Sequence, residues 1–155
     1  MLIRSLYFCI FLIVLFSCKQ DENDFVQVNA VNGKWNKNKV EKFDIEIKNA
    51  QIPKNIIFVV RNNNNYPYNN IFLISQIMFN DKFVGKADTL NYILAEPNGQ
   101  WLGSGFGDTK EILFQYKTNY KFPKNGHYTI SVKQAMRADT LKGIEDFGIK
   151  IQSAK

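Results

Sequence analysis

Cys18 is the residue whose type and setting promise a reaction. It closes Leu15-Phe16-Ser17-Cys18 at the end of an apolar run that starts at Leu6. That arrangement reads as a bacterial lipoprotein signal with its lipobox. A thiol is nucleophilic enough to take a diacylglycerol, and a small residue at Ser17 lets a peptidase reach the bond before it. The apolar run is too short to cross a bilayer, which needs about 20 such residues. An ordinary secretory signal would more often end in an A-x-A-like site than in a cysteine. The expected product begins at Cys18 and is held by acyl chains, each buried methylene contributing roughly 0.8 kcal/mol.

Beyond that thiol the chemistry thins out. Cys9 leaves with the signal, so the expected mature chain has no thiol for a disulfide or a thiolate metal site. His127 is the single histidine, and zinc wants several nitrogen or sulfur ligands. Neither a metal nor a cofactor is expected. The glycine-rich stretch from Gly99 to Gly107 lacks the strand and helix of a dinucleotide loop and the Gly-Lys-Ser/Thr ending of a P-loop. Gly103-Ser104-Gly105 also lacks the five-residue G-x-S-x-G pattern of a nucleophile elbow. Its glycines are expected to fold the backbone around Trp101 and Phe106 and bury both beneath the loop. Glu96, Asp108, Glu111, Glu145 and Asp146 offer no pair with a reason to sit at catalytic separation. No catalytic residue is assigned. Asp108-Thr109-Lys110-Glu111 has capping-box spacing and is expected to start one helical turn. Arg61 and Arg137 each end an apolar strand, where bidentate contacts to carboxylates would brace the loops. The net charge of +6 is scattered rather than striped, which argues against nucleic acid as a partner.

The elements that must hold these residues are strands. In residues 42–48, Phe43, Ile45 and Ile47 point one way and four charges the other, as one wet face requires. Residues 56–60 form a β-branched run that fits a strand covered on both faces. Residues 62–70, rich in asparagine and containing Tyr66-Pro67-Tyr68, cannot be a strand interior. Further strands are expected at 25–31, 71–79, 88–94, 112–116, 128–137 and 147–151. Eight or so short strands with almost no helical periodicity predict an antiparallel β-sandwich, jelly-roll or Ig-like. The expected division is a signal peptide at 1–17, an acylated tether at 18–24 and a single domain at 25–155. Aromatics such as Trp35 and Tyr120 suit the core. Tyr66, Tyr68, Trp101 and Phe106 could instead form a platform for sugar rings or another protein.

Three separated blocks carry a likeness. Arg61-Asn62 with Tyr66-Pro67-Tyr68-Asn69-Asn70-Ile71-Phe72-Leu73 resembles the gliding-motility lipoprotein family GldH of Bacteroidetes. So do Gly99 to Asp108 and Gln134-Ala135-Met136-Arg137, in the same order along essentially the whole mature chain. The resemblance implies a non-enzymatic lipoprotein of the outer membrane, needed for gliding and tied to type IX secretion, and it supplies no catalytic residues. Gln20-Asp21-Glu22 is similar to acidic signals that send some lipoproteins of these bacteria to the cell surface. Asp88-Thr89-Leu90 and Asp139-Thr140-Leu141 match their O-glycosylation pattern, making Thr89 and Thr140 candidate acceptors. The expectation is a domain tethered by lipid at Cys18, docking other gliding-motility lipoproteins or secretion subunits through Tyr66, Tyr68, Trp101, Phe106 and Arg137. The alternatives are a glycan-binding surface lipoprotein and, further off, a hydrolase.

Overall fold

Alternation along the chain becomes two facing sheets in the computed structural model, which describes residues 24–154. The signal segment, Cys18 and residues 19–23 lie outside the described residues. The strands are β1 (Phe25–Ala30), β2 (Lys34–Asn36), β3 (Glu41–Ile47), β4 (Lys54–Asn62), β5 (Asn70–Phe79) and β6 (Lys82–Phe83). They continue as β7 (Asp88–Ile93), β8 (Lys110–Tyr120), β9 (Gly126–Gln134), β10 (Thr140–Lys142) and β11 (Ile144–Ser153). One sheet has the order β1-β11-β4-β8 and the other β3-β9-β5, with β7 and the short β6 both on β5. All pairings are antiparallel. The pairs β1/β11, β3/β9, β4/β8 and β5/β7 nest as in a rolled-up hairpin, the jelly-roll arrangement rather than the immunoglobulin one.

Burial follows the pattern. In β3, Glu41, Phe43, Ile45 and Ile47 alternate as buried residues with exposed neighbours. In β4, Phe58, Val59 and Val60 are buried consecutively, because β4 is central in its sheet and its outer face is also partly covered. Phe147 stands at the middle of the core, with ring centroids 5.1 Å from Trp35, 6.0 Å from Phe43 and 5.3 Å from Phe58. Such tilted ring pairs add directional preference to the burial itself.

Strand polarity sorts the connections into two ends. Residues 31–40, 63–69, 94–109 and 135–143 join strands at one end, which we term the loop end. The connections at 48–53, 80–87 and 121–125 lie at the other. The second is the entry end, because β1 starts there, with Phe25 paired to Ile151 and Ser153 opposite Lys54.

Two expectations are corrected, and one element is added to those expected. Residues 108–111 make no helical turn, since β8 begins at Lys110 and Glu111 pairs in register with Arg61 of β4. A ladder bond and an ion pair outweigh a local capping preference. The ribbon β2/β10 was not foreseen; it buries Trp35 against Leu141, registered opposite each other. The strand expected through residues 128–137 ends at Gln134, where the buried amide side chain turns the chain.

Candidate functional site

The four loop-end connections pack on one another, and all three of the motif blocks above fall within or beside them. The asparagine loop is built by its own side chains. Asn63 Oδ1 accepts from the Asn65 amide at 2.8 Å, forming an Asx turn. The Asn63 amide donates to the Gly143 carbonyl at 2.8 Å, and its side-chain amide donates to Glu145. This fastens the 63–69 loop to the start of β11.

Tyr66 fills the space beneath. It is 3 % exposed, and its hydroxyl donates to the Asn70 carbonyl at 2.8 Å. Tyr68 meets its ring edge-on at 5.7 Å and Trp101 lies tilted at 6.4 Å. Tyr66, expected in the docking patch, therefore has no surface to offer; it is the post on which Tyr68 and Trp101 lean. Half-buried Trp101 donates from Nε1 to Asn64 Oδ1 at 3.0 Å, and the Asn64 amide donates to Asp108 at 3.2 Å. The glycine-rich loop is thereby pinned to the asparagine loop at two points. Its base is a small ladder, Ala95 bridging Trp101 and Ser104 bridging Glu111.

Phe106 corrects a second expectation. It is 100 % exposed rather than buried. Gly105 explains the inversion: a Cβ there would sit 2.2 Å from the Thr109 carbonyl oxygen. The loop is folded so tightly on its own backbone that the ring is turned outward. Phe106 shares a shallow cavity of about 440 Å³ with Arg61, Glu111 and Asp146. Arg61 Nε bonds Glu111 at 2.7 Å and Nη1 reaches Asp146 at 3.4 Å. It braces three strands, β8, β4 and β11, rather than a loop. The hydrogen bond to Glu111, opposed by burial and helped by Asp146, raises the guanidinium pKa further.

Arg137 departs from the bracing expectation too: it is exposed and forms no ion pair among the described residues. Instead it lines a cleft of about 490 Å³ with Tyr68, Phe72, Ala135 and Met136. Tyr68 and Phe72 are each 38 % exposed there. Buried Gln134 shapes this wall. Its amide donates to the Ala138 carbonyl at 3.0 Å and its oxygen accepts from the Met136 amide at 2.8 Å. Met136 Sδ in turn accepts from the Phe72 amide at 3.3 Å. The first and third motif blocks thus form one wall-to-wall groove, with apolar sides and a free guanidinium at its rim. Neither Phe72 nor Met136 stands out by residue type; their place within the blocks that carry the resemblance is the only signal for them.

Thr89 and Thr140 are both exposed, on β7 and β10. Their aspartate neighbours are engaged, Asp139 with Lys37 and Asp88 with Lys117 at 2.8 Å and the Tyr116 hydroxyl at 2.8 Å. Burial works to raise the Asp88 pKa, but Lys117 and Tyr116 outweigh it and hold the carboxyl below its ordinary value. Among the described residues no group of three or more His, Cys, Asp or Glu side chains could hold a metal ion.

Buried phenols give this protein an alkaline limit. Burial pushes Tyr92 up to about 12 and raises Tyr66 and Tyr116 as well. A phenol whose folded pKa exceeds its unfolded value of about 10 favours the fold below that pH. That contribution fades as pH rises through the folded values. Circular dichroism should accordingly show cooperative unfolding setting in above about pH 10, with the last tyrosinate absorbance appearing together with unfolding. Full ionisation of the tyrosines while the fold persists would contradict it.

Residues 24–151 match the model of a family described as GldH lipoprotein. The chain is 36 % identical over 159 residues to "Gliding motility lipoprotein GldH homolog" of Christiangramia forsetii, covering 97 % of this chain and 96 % of that protein. It is 38 % identical over 147 residues to "Gliding motility lipoprotein GldH" of Flavobacterium johnsoniae, covering 90 % of each. Among solved structures, latent PorU from Porphyromonas gingivalis overlaps 85 % of this chain and 13 % of its own, at 7 % identity and a TM-score of 0.39. A CBM35 module from Cellvibrio japonicus Abf62 overlaps 85 % of this chain and 98 % of its own, at 11 % identity and a TM-score of 0.36. Both overlaps are too loose to argue from.

Proposed function

This chain belongs to the GldH lipoprotein family, and from that premise we propose that it is a lipid-anchored, non-enzymatic part of the gliding-motility machinery that works by docking another protein. Acylation at Cys18 holds it in the cell envelope, at the outer membrane, where the type IX secretion apparatus supplies its partners. Docking takes place at the loop end, in the groove between Tyr68, Phe72, Met136 and Arg137. The observation that carries this reading is the convergence of two separated motif blocks, 61–73 and 134–137, on that one groove. Apolar walls with an arginine at the rim are the composition that interface anchors favour. The partner surface that fits is an aromatic or aliphatic side chain followed by a carboxylate. A lipid tether confines both proteins to a layer, so modest affinity suffices.

Tyr68→Ala combined with Arg137→Glu tests the groove. Arg137 is exposed and Tyr68 rests on Tyr66 at the surface without entering the core, so the double variant should stay folded with only a modest fall in melting temperature. It should nevertheless lose co-purifying envelope proteins from detergent-solubilised cells, and colonies should cease to spread. Each anchor residue of this kind is worth on the order of 2 kcal/mol or more at an interface. Normal spreading and an unchanged set of co-purifying proteins would defeat the reading.

A further inference from the structure

We infer that the entry end of the sandwich is a membrane-resting face, with a cleft between the 80–87 and 121–125 turns that takes the phosphate of an anionic lipid headgroup. Position comes first. β1 begins at this end, and Cys18 lies seven residues before Phe25. At 3.3–3.6 Å per extended residue, that segment reaches no further than about 25 Å. The nine-residue β4 alone spans about 30 Å, so a lipid at Cys18 leaves the entry end within reach of the bilayer while the loop end lies a strand length further off.

The chemistry of this end then fits what it faces. Lys48, Lys82, Lys86, Lys121 and Lys124 are exposed on its three turns, and none forms an ion pair among the described residues. The acidic residues beside them are Asp24, Glu46, Asp81 and Asp88, the last already paired with Lys117, so the balance is cationic. At the loop end Lys37, Lys39 and Arg61 are each matched with a carboxylate, and the unpaired Lys34, Arg137 and Lys142 stand among further acidic residues, Glu96, Asp108 and Glu145. Phe83 is 66 % exposed at the tip of β6. The turn before it is tight, Asn80 and Asp81 both adopting left-handed backbone with φ of 46° and 61°. A bulky apolar ring thrust out between lysines has the composition of an interfacial anchor. Between Lys82 and Lys124 lies a cleft of about 360 Å³, walled by Phe79, Tyr128 and Pro123. Lys124 Nζ stands 4.3 Å from the Phe79 ring centroid, which leaves its remaining donors for an anion. An acidic protein would also suit the lysines. The bilayer is favoured because a tether of at most about 25 Å lets this face, and not the loop end, come down onto the headgroups, whose charge acts over about 8 Å at physiological salt.

The inference rests on the lipid anchor proposed above, and its test separates the two. The acylated full-length chain is reconstituted into vesicles of phosphatidylcholine, with or without phosphatidylglycerol, containing brominated lipid as a quencher. Flotation with the vesicles reports the anchor. Quenching of Phe83→Trp reports the face, with wild type as reference, since buried Trp35 and loop-end Trp101 should be spared. The expected result is flotation of every variant and strong quenching of Phe83→Trp, greater with the anionic lipid. Lys82→Glu with Lys124→Glu in that background should lower the quenching severalfold without loss of flotation. A chain that floats while Phe83→Trp is no more quenched than wild type would overturn the membrane face alone. Failure to float would remove the anchor and this inference with it. Crosslinking from position 83 to an envelope protein, with no quenching by lipid, would reassign the face to a protein partner.

Discussion

Replacing Phe147 with alanine is expected to lower stability by about 3–5 kcal/mol, the range for deleting a fully buried aromatic ring. For a domain of this size that corresponds to a fall of roughly 10–20 °C in melting temperature. The size follows from what surrounds the ring. Phe147 is fully buried in β11 and touches Trp35 from the β2/β10 ribbon, Phe43 from the opposite sheet and Phe58 from the adjacent strand. Each of those rings is held by a different element, so none can slide into the vacated volume without dragging a strand. Trp35 is further fixed by its indole bond to the Lys39 carbonyl at 3.0 Å. A cavity that cannot collapse carries the full penalty. Phe106→Ala is the matched control, with the same atoms removed from a ring wholly in solvent; it should fall within about 0.5 kcal/mol of wild type. Urea unfolding of both variants decides the matter. Equal midpoints would mean that the sheets are not held together through Phe147.

That contrast also marks what could be read from the chain alone. The inner faces of β3 and β9 were legible, because period-two alternation is a direct consequence of one wet and one dry face. The central strand β4 was legible from its unbroken β-branched run. Jelly roll against immunoglobulin topology was not, since the choice depends on which strands pair and both orders bury the same residues. β2 and β10 escaped for a related reason. Three residues show no period, and Trp35 and Leu141 meet only because the fold brings together positions about a hundred residues apart. The loop end was half legible. The blocks that carry the resemblance fall on or beside the loop-end connections, but Tyr66, amid asparagines and beside a proline, looked exposed, and Phe106, amid glycines, looked wrapped. Both were reversed by backbone contacts from distant segments. No local pattern encodes that Gly143 backs against Tyr66, or that Gly105 folds onto Thr109.

Gly143→Ala turns that hidden contact into a measurement. Gly143 sits between β10 and β11 with φ of +79°, and a Cβ there would lie 2.2 Å from the Tyr66 amide nitrogen and 2.7 Å from Asn65 C. The left-handed backbone costs an alanine about 1–2 kcal/mol, and displacing the neighbouring peptide adds about 1–3 kcal/mol. The expected loss is therefore about 2–5 kcal/mol. Gly99→Ala separates the two contributions, since Gly99 has φ of +87° with nothing within 4 Å of its Cβ; it should lose only the backbone share. The sharper outcome is structural. Pushing the Asn65–Tyr66 peptide outward pulls Tyr66 from under Tyr68 and strains the Asn63 bond to the Gly143 carbonyl. Asn64 moves with it and releases the Trp101 indole. Iodide should then quench Trp101 in Gly143→Ala but not in Gly99→Ala, while buried Trp35 stays protected in both. Partner capture through the groove should weaken in parallel, although no residue lining the groove has been changed. If Trp101 stays as protected as in wild type, the asparagine loop does not rest on Gly143, and the post-and-platform geometry of Tyr66 fails with it.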